Sequence, residues 1–218
     1  MYIWIRGCIE AFECGGGAMI RRLLVDYGEV LSAPLTEVAI ADLAALADQP
    51  RATFLDRYWQ LRPAYDLGQP PTEYWSAVLG RDLSGSPRLV DRLTRVDVRG
   101  WLRRNPRTLR VLVGHAQRTG ARLALLSNAP EPIARAIDDA RWSRDFDRCY
   151  YSCRLGAAKP DPRAFQIVLR DLGAKPDEVL FIDDRAENTA AARNLGMHTI
   201  TFTSASTLDQ ELWLVARA

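Results

Sequence analysis

Four short segments of this chain are runs of apolar residues that break off at polar ones: Ile20 to Asp26, "RLALLSN" (122 to 128), "EVLFIDD" (178 to 184) and "HTITF" (198 to 202). A strand with one face in water alternates apolar and polar residues, whereas a continuous run suits a parallel strand covered on both faces. Helical patterns lie between the runs. "PEPIARAIDDA" follows the second, "DPRAFQIVLRDLG" precedes the third and "RAENTAAARNLG" follows it, the last two stopped by glycine. Strands alternating with helices predict an α/β fold, a doubly wound parallel sheet of Rossmann-like form. In such sheets ligands bind beyond the carboxyl ends of the strands.

That rule sorts the polar residues. Asp26, Ser127 with Asn128, and Asp183 with Asp184 each stand where a run stops, so three separate segments deliver side chains to one rim. Lys159, in "GAAKPDPRAF", opens the helix before the third run and reaches the same rim. Clustered carboxylates cannot all ionise at close range without a cation, and a hard, oxygen-liking metal such as Mg2+ is the natural resident. The chemistry that fits is phosphoryl transfer to an aspartate: a carboxylate attacks phosphorus, and metal, ammonium and hydroxyl groups take up the charge on the phosphoryl oxygens.

Composition narrows the alternatives. With 48% hydrophobic residues and a formal charge of +2, the chain reads as an ordinary globular protein with no global argument for nucleic acid or a membrane surface. The 218 residues suffice for one core domain with a smaller insert. Eight arginines between Arg88 and Arg110 are spaced mostly three or four apart, which predicts a solvated helix face. Cys8, Cys14, Cys149 and Cys153 form neither a disulfide framework nor a zinc ligand set, and reduced thiols in a cytoplasmic setting are expected. No apolar stretch approaches the ~20 residues of a membrane-spanning helix. Residues 1–18, with three consecutive glycines and a second methionine at Met19, read as a loosely ordered extension that the fold does not need.

Four ordered motifs carry a family resemblance: "LLVDYGEVL", "LALLSN", "GAAKPDPRAF" and "VLFIDDRAENTAAARNLGM". Together they resemble the haloacid dehalogenase-like (HAD) superfamily. The resemblance implies Asp26 as nucleophile and metal ligand, the backbone carbonyl of Gly28 as a second ligand, Asp183 as a third, and Asp184 on the metal directly or through water. It implies that Ser127 and the backbone near Asn128 hold the phosphate, that Lys159 neutralises nucleophile and phosphate together, and that Asn188 orients the Asp pair.

One departure matters for mechanism. Phosphatases of this superfamily generally carry a second aspartate two residues after the nucleophile, which protonates the leaving oxygen and later activates water; here Gly28 occupies that place. "DYGEVL" resembles the Asp-x-Gly-x-Val branch, which includes relatives similar to bacterial glucose-1-phosphate phosphatases and to the amino-terminal domains of epoxide hydrolases. Without the acid, a leaving group that is already good suffers least, since general acid catalysis typically contributes ~10²–10⁴-fold. Water or a residue of the insert is a second source of the proton. Glu29 ranks below these, because the next side chain of an extended strand end points to the other side.

The insert is expected to be a small all-helical cap. Residues 19–34 and 107–218 are assigned to the core and 35–106 to the cap, whose helical stretches are "EVAIADLAALADQ", "RATFLDRYWQLRPAYDLG" and "PPTEYWSAVLGRDL". Phe54, Tyr58, Trp59, Tyr65, Tyr74, Trp75 and Trp101 are expected to pack its core and hinge. Arg62, Tyr65 and Asp66 are the candidate substrate contacts. His115 and His198 read as surface or satisfied histidines. A serine hydrolase using Ser127 is disfavoured because "LLSNAP" lacks a glycine-flanked elbow.

The resulting expectation is a Mg2+-dependent phosphatase of a small phosphorylated metabolite, a sugar phosphate by resemblance to the branch, working as a monomer or homodimer with no nucleic acid or membrane partner. The alternatives are a dehalogenase, which would have no use for the second aspartate of the pair, and a catalytically impaired binding or regulatory protein.

Overall fold

The computed structural model describes residues 19–216. The expectation for residues 1–18 lies outside the described residues.

Five strands form one parallel sheet: β1 (Arg22–Val25), β2 (Arg122–Ser127), β3 (Arg148–Tyr151), β4 (Val179–Asp183) and β5 (His198–Thr201), in the order β3-β2-β1-β4-β5. Ten α-helices accompany it among the described residues: α1 (Glu37–Ala47), α2 (Arg51–Asp66), α3 (Pro71–Leu79), α4 (Pro87–Trp101), α5 (Pro106–Thr119), α6 (Glu131–Asp138), α7 (Ser152–Leu155), α8 (Pro162–Leu172), α9 (Ala186–Asn194) and α10 (Ala205–Val215).

The unbroken apolar runs follow from the central position of β1. Leu23 and Val25 point to one face, with Leu125, Ile182 and residues of α5, α6 and α10. Leu24 points to the other, with Leu126, Phe181 and residues of α8 and α9. Because both faces are covered, consecutive residues must all be apolar. Each such leucine or valine, fully buried, contributes about 1.5–3 kcal/mol. Gly173 ends α8 in the left-handed conformation (φ 58°), where glycine carries no side-chain penalty.

β3 has no counterpart among the runs read from the sequence. It is an edge strand, "RCYY", with an exposed arginine, a half-buried cysteine and only the two tyrosines buried, so it lacks the near-continuous burial of β1, β2 and β4.

Helices α1 to α4 enclose a core of their own around Phe54, Tyr58, Tyr65, Tyr74 and Trp75. The rings of Tyr65 and Tyr74 stack at 4.0 Å. Trp59 departs from the expected core packing and is 47% exposed. The chain enters and leaves this helical insert through two adjoining segments, tied by a bridge between Ser32 and Arg104 and by the Asn105 N–H donating to the Leu31 carbonyl at 2.7 Å.

The arginine stretch does not form one helix face. Helix α4 ends at Trp101 and α5 begins at Pro106, with Asn105 capping the new helix by accepting from the Thr108 N–H. Arg103 and Arg104 lie in the connection, and all eight arginines are exposed as expected. Among the described residues, no helix is long and apolar enough to cross a membrane.

Candidate active site

The carboxyl ends of β1, β2 and β4 meet at a cavity of about 460 Å3, roofed by residues of α2 and the end of α4. Asp26 follows β1 and its N–H donates to the Ile182 carbonyl of β4 at 2.9 Å, so the sheet ladder itself sets its position. Asp183 is the last residue of β4 and is fully buried. Lys159, from the loop before α8, reaches between them: its Nζ lies 2.7 Å from Asp26 Oδ1 and 2.6 Å from Asp183 Oδ2, and it donates to the Leu126 carbonyl at 2.9 Å.

The loop carrying Lys159 is held by Asn128. The Asn128 amide donates to the Lys159 carbonyl at 2.8 Å and accepts the Lys159 N–H at 2.9 Å. The Asn128 side chain is therefore occupied, and a role toward phosphate at this position falls to its backbone. Ser127 ends β2, is buried and lines the cavity.

Asp183 is fixed from both sides. Its Oδ1 accepts from the Arg185 N–H and from Asn188 Nδ2, both at 2.9 Å. Ligand oxygens of Asp26, Asp183 and Asp184 lie within 4.8 Å of one another. Among the described residues Asn188 Oδ1 is buried with no hydrogen-bond partner, and Asn188 lines the cavity.

Electrostatics follow from this crowding. Burial is the largest influence on Asp26; Lys159 opposes it, Asp183 and Asp184 add to it, and the carboxyl is pushed up to about 7. Burial alone would discharge Lys159, but Asp26 and Asp183 outweigh it and hold the ammonium charged. Burial, then Asp183, raises Asp184. Three acids around one lysine leave a surplus of negative charge, and the donor set is all oxygen. These residues fit a hard divalent cation such as Mg2+, which would relieve the repulsion and give the orphaned Asn188 oxygen an ordered neighbour through water.

Gly28 and Glu29 both line the cavity. The expectation that Glu29 points away rested on an extended strand end, and the chain does not continue extended. It turns at Gly28, whose carbonyl accepts from the Val30 N–H at 2.7 Å, and Glu29 takes a left-handed conformation (φ 55°) with its N–H on Ser32 Oγ. The turn brings Glu29 to the cavity wall.

The insert contributes Arg62 and Asp66 to the wall, together with Trp59, Leu67 and Trp101. Tyr65 is not among the lining residues. It is fully buried in the insert's aromatic core, because one residue along α2 from Asp66 rotates the side chain to the inner face. Arg62 donates from Nε to Asp66 Oδ1 at 2.7 Å and from Nη1 to the Tyr58 hydroxyl. Tyr58 in turn donates to Asp97 Oδ1 at 2.6 Å and accepts from Trp101 Nε1 at 3.0 Å. Asp97 and Ser152 had not been singled out from the sequence. Ser152 Oγ donates to the Asp66 carbonyl and accepts the Ala129 N–H, joining insert and core beside the Ser127 loop. Arg185, also on the cavity wall, was visible only as the neighbour of the Asp pair.

Known proteins resemble this chain in sequence profile and in fold. The profile of the haloacid dehalogenase-like hydrolases matches residues 105–196. Rat bifunctional epoxide hydrolase 2 is 41% identical over 70 residues, which is 32% of this chain and 13% of that protein. The chain thus spans a small part of the length of such relatives. D-ribitol-5-phosphate phosphatase of Bacteroides thetaiotaomicron is 25% identical over 206 residues, 90% of this chain and 98% of that enzyme. The crystal structure of the HAD family enzyme bt-2542 from the same organism, in complex with magnesium and inorganic phosphate, superposes with a TM-score of 0.66 at 25% identity, covering 84% of this chain and 94% of that one.

Proposed function

We propose that this chain, whose residues 105–196 match the profile of the haloacid dehalogenase-like hydrolases, is a Mg2+-dependent phosphatase working through an aspartyl-phosphate on a small phosphorylated metabolite. The observation that carries this reading is the bridging of Asp26 and Asp183 by Lys159, at 2.7 and 2.6 Å, within a group of three carboxylates.

Asp26 is the nucleophile. Its Oδ1 is taken by Lys159 and by the Tyr27 N–H at 2.6 Å, while Oδ2 receives no hydrogen bond from the described residues and is the oxygen left to attack phosphorus. Ser127 and the backbone at Asn128 hold the phosphoryl oxygens. Lys159 stays on Asp26 as negative charge passes to those oxygens and steadies both. Asp26, Asp183, Asp184 and the Gly28 carbonyl would hold Mg2+, which would supply further positive charge to the phosphoryl group. Asn188 and the Arg185 N–H keep Asp183 in its ligating orientation. Residues 35–106 act as a cap that shuts water out while the substrate is held.

A sugar or polyol phosphate is the favoured substrate class. The full-length similarity to a D-ribitol-5-phosphate phosphatase supports it, as does a wall that combines the flat apolar faces of Trp59 and Trp101 with the polar pair Arg62 and Asp66. The test is phosphate release from a panel of sugar phosphates, polyol phosphates, an acyl phosphate and an aryl phosphate, with Mg2+ and with EDTA. Mg2+-dependent release is the expected result. No release from any of them by folded protein would overturn the reading.

A further inference from the structure

Gly28 leaves the reaction without the acid that would protonate the departing oxygen, and the cavity wall offers few replacements. Lys159 is committed to two carboxylates and a carbonyl. The Tyr27 hydroxyl donates to the Trp101 carbonyl at 2.8 Å. Arg62 and Arg185 do not give up protons at neutral pH. Asp26 and Asp184 belong to the metal group. Glu29 and Asp66 remain among the lining residues, one beside the Gly28 turn and one on the insert.

Resting on the phosphatase reading above, we propose that Asp66 is a catalytic residue of the insert, the acid that protonates the leaving oxygen and then the base that activates water. Three observations support the choice over Glu29. Asp66 is held in place: Arg62 grips Oδ1 at 2.7 Å, and Ser152 fixes its backbone carbonyl to the core beside the Ser127 loop. Its Oδ2 has no hydrogen bond from the described residues, leaving that oxygen for substrate. Glu29, by contrast, is exposed, and no side chain of the described residues holds its carboxylate. The charged groups acting on Asp66 are Arg62 on its own helix and Asp97 from α4; burial outweighs Arg62 and pushes its carboxyl up to about 6, so a protonated fraction persists near neutral pH.

The step balances. Asp26 Oδ2 forms a bond to phosphorus as the bond from phosphorus to the ester oxygen breaks. The released electron pair stays on the ester oxygen, which takes the proton from Asp66 and leaves as the alcohol. The Asp66 carboxylate, stabilised by Arg62, then accepts a proton from water as the water oxygen bonds to phosphorus. The bond between phosphorus and Asp26 breaks with its electrons returning to Asp26, so phosphate is released and both carboxyls are restored. Because Asp66 sits on the insert, the acid is in place only when the insert is seated on the core, which couples closure to chemistry.

The test measures kcat/KM for wild type, Asp66→Asn and Asp66→Asn combined with Gly28→Asp against phosphate esters of graded leaving-group basicity, from aryl to alkyl, at saturating Mg2+. A Cβ at Gly28 would meet only Trp101 Cζ3 at 3.8 Å, an ordinary contact, so a side chain can begin there without a clash. Asp66→Asn is expected to lose about 10²–10⁴-fold on alkyl phosphates, and far less on activated aryl phosphates, which depart without a proton. Gly28→Asp is expected to restore the alkyl activity of that variant, a rescue that a purely structural role for Asp66 would not permit. The alkyl rate of wild type should also fall as pH rises past about 6, and this limb should be missing in Asp66→Asn. If Asp66→Asn does not fold, Asp66→Glu should keep the shallow dependence on leaving group and Asp66→Gln should steepen it. An equal loss across all esters, no loss, or steepening in Glu29→Gln instead would overturn the assignment. A wild-type protein inert toward every ester overturns the phosphatase reading itself, a result distinguishable from the others before any variant is made.

Discussion

Lys159 Nζ lies 2.7 Å from Asp26 Oδ1, although the two residues come from opposite ends of the core's chain order, one after the first strand and one before the fourth. Both are almost wholly buried, and the ammonium remains charged because Asp26 and Asp183 face it together. An ion pair in that setting is costly to break on one side, since the remaining charge keeps its burial and loses its partner.

Replacing Lys159 with methionine should therefore act twice. Activity should fall about 10²–10³-fold through loss of charge at the phosphoryl group. Stability without metal should fall by about 3–5 kcal/mol, the range for removing one partner of a buried pair. Chemical denaturation checks the second effect, and added Mg2+ should recover more stability in the variant than in wild type.

Asp26→Asn should abolish turnover while leaving the fold intact, because the amide is isosteric but not nucleophilic. Near-ultraviolet circular dichroism should overlay on wild type while phosphate release vanishes. Full activity in this variant would exclude Asp26 as the nucleophile.

Mg2+ binding should raise the melting temperature without substrate. A ligand at a hundred times its Kd stabilises by about 2.7 kcal/mol. Asp183→Asn should lose most of this shift, since Asp183 is one of the three carboxylates that converge on the site. Differential scanning calorimetry with Mg2+ and with EDTA reads the effect independently of activity.

His115 is buried on α5 and its burial, reinforced by Arg118, holds it below its ordinary value of 6.5. A histidine with a lowered folded value binds its proton better when unfolded, so its contribution is complete above 6.5 and is lost as pH falls through the folded value. Asp66 acts in the opposite sense, because its value is raised in the fold. The difference in unfolding free energy between wild type and His115→Gln isolates the histidine: wild type should lose stability relative to the variant as pH drops below 6.5.

Trp75→Ala should unfold the insert first. Trp75 is fully buried among Tyr58, Tyr65 and Tyr74, and truncating a buried aromatic costs about 3–5 kcal/mol. Fluorescence and activity should be lost at lower denaturant than the far-ultraviolet signal of the sheet.

The strands that carry the site were legible because their burial is a local property: every residue of "LLV" and "VLFID" is covered, and the polar residue after each run marks the strand end. β3 was not legible, since its arginine and cysteine interrupt the apolar run. The break in the arginine stretch at Asn105 and Pro106 was readable in principle from its cap signal, but the arginine spacing masked it. Tyr65 was read both as core packing and as a substrate contact, and the neighbours of α2, which decide which face turns inward, settle it in the core. Glu29 was misplaced because a left-handed residue in a turn closed by the Tyr27 and Gly28 carbonyls leaves no distinct mark on the sequence.

By itself the sequence determined which groups stand at the strand ends: Asp26, Ser127, Asn128, Asp183 and Asp184, with Lys159 ahead of its helix. It did so because period and burial are set by neighbours along the chain. Only the tertiary structure decided that Lys159 bridges two carboxylates, that Asn128 is spent on holding the lysine loop, and that Arg62 and Asp66 of the insert close the same cavity. Those relationships join residues far apart in sequence, and their distances follow from how the sheet, its covering helices and the insert pack, which spacing along the chain does not encode.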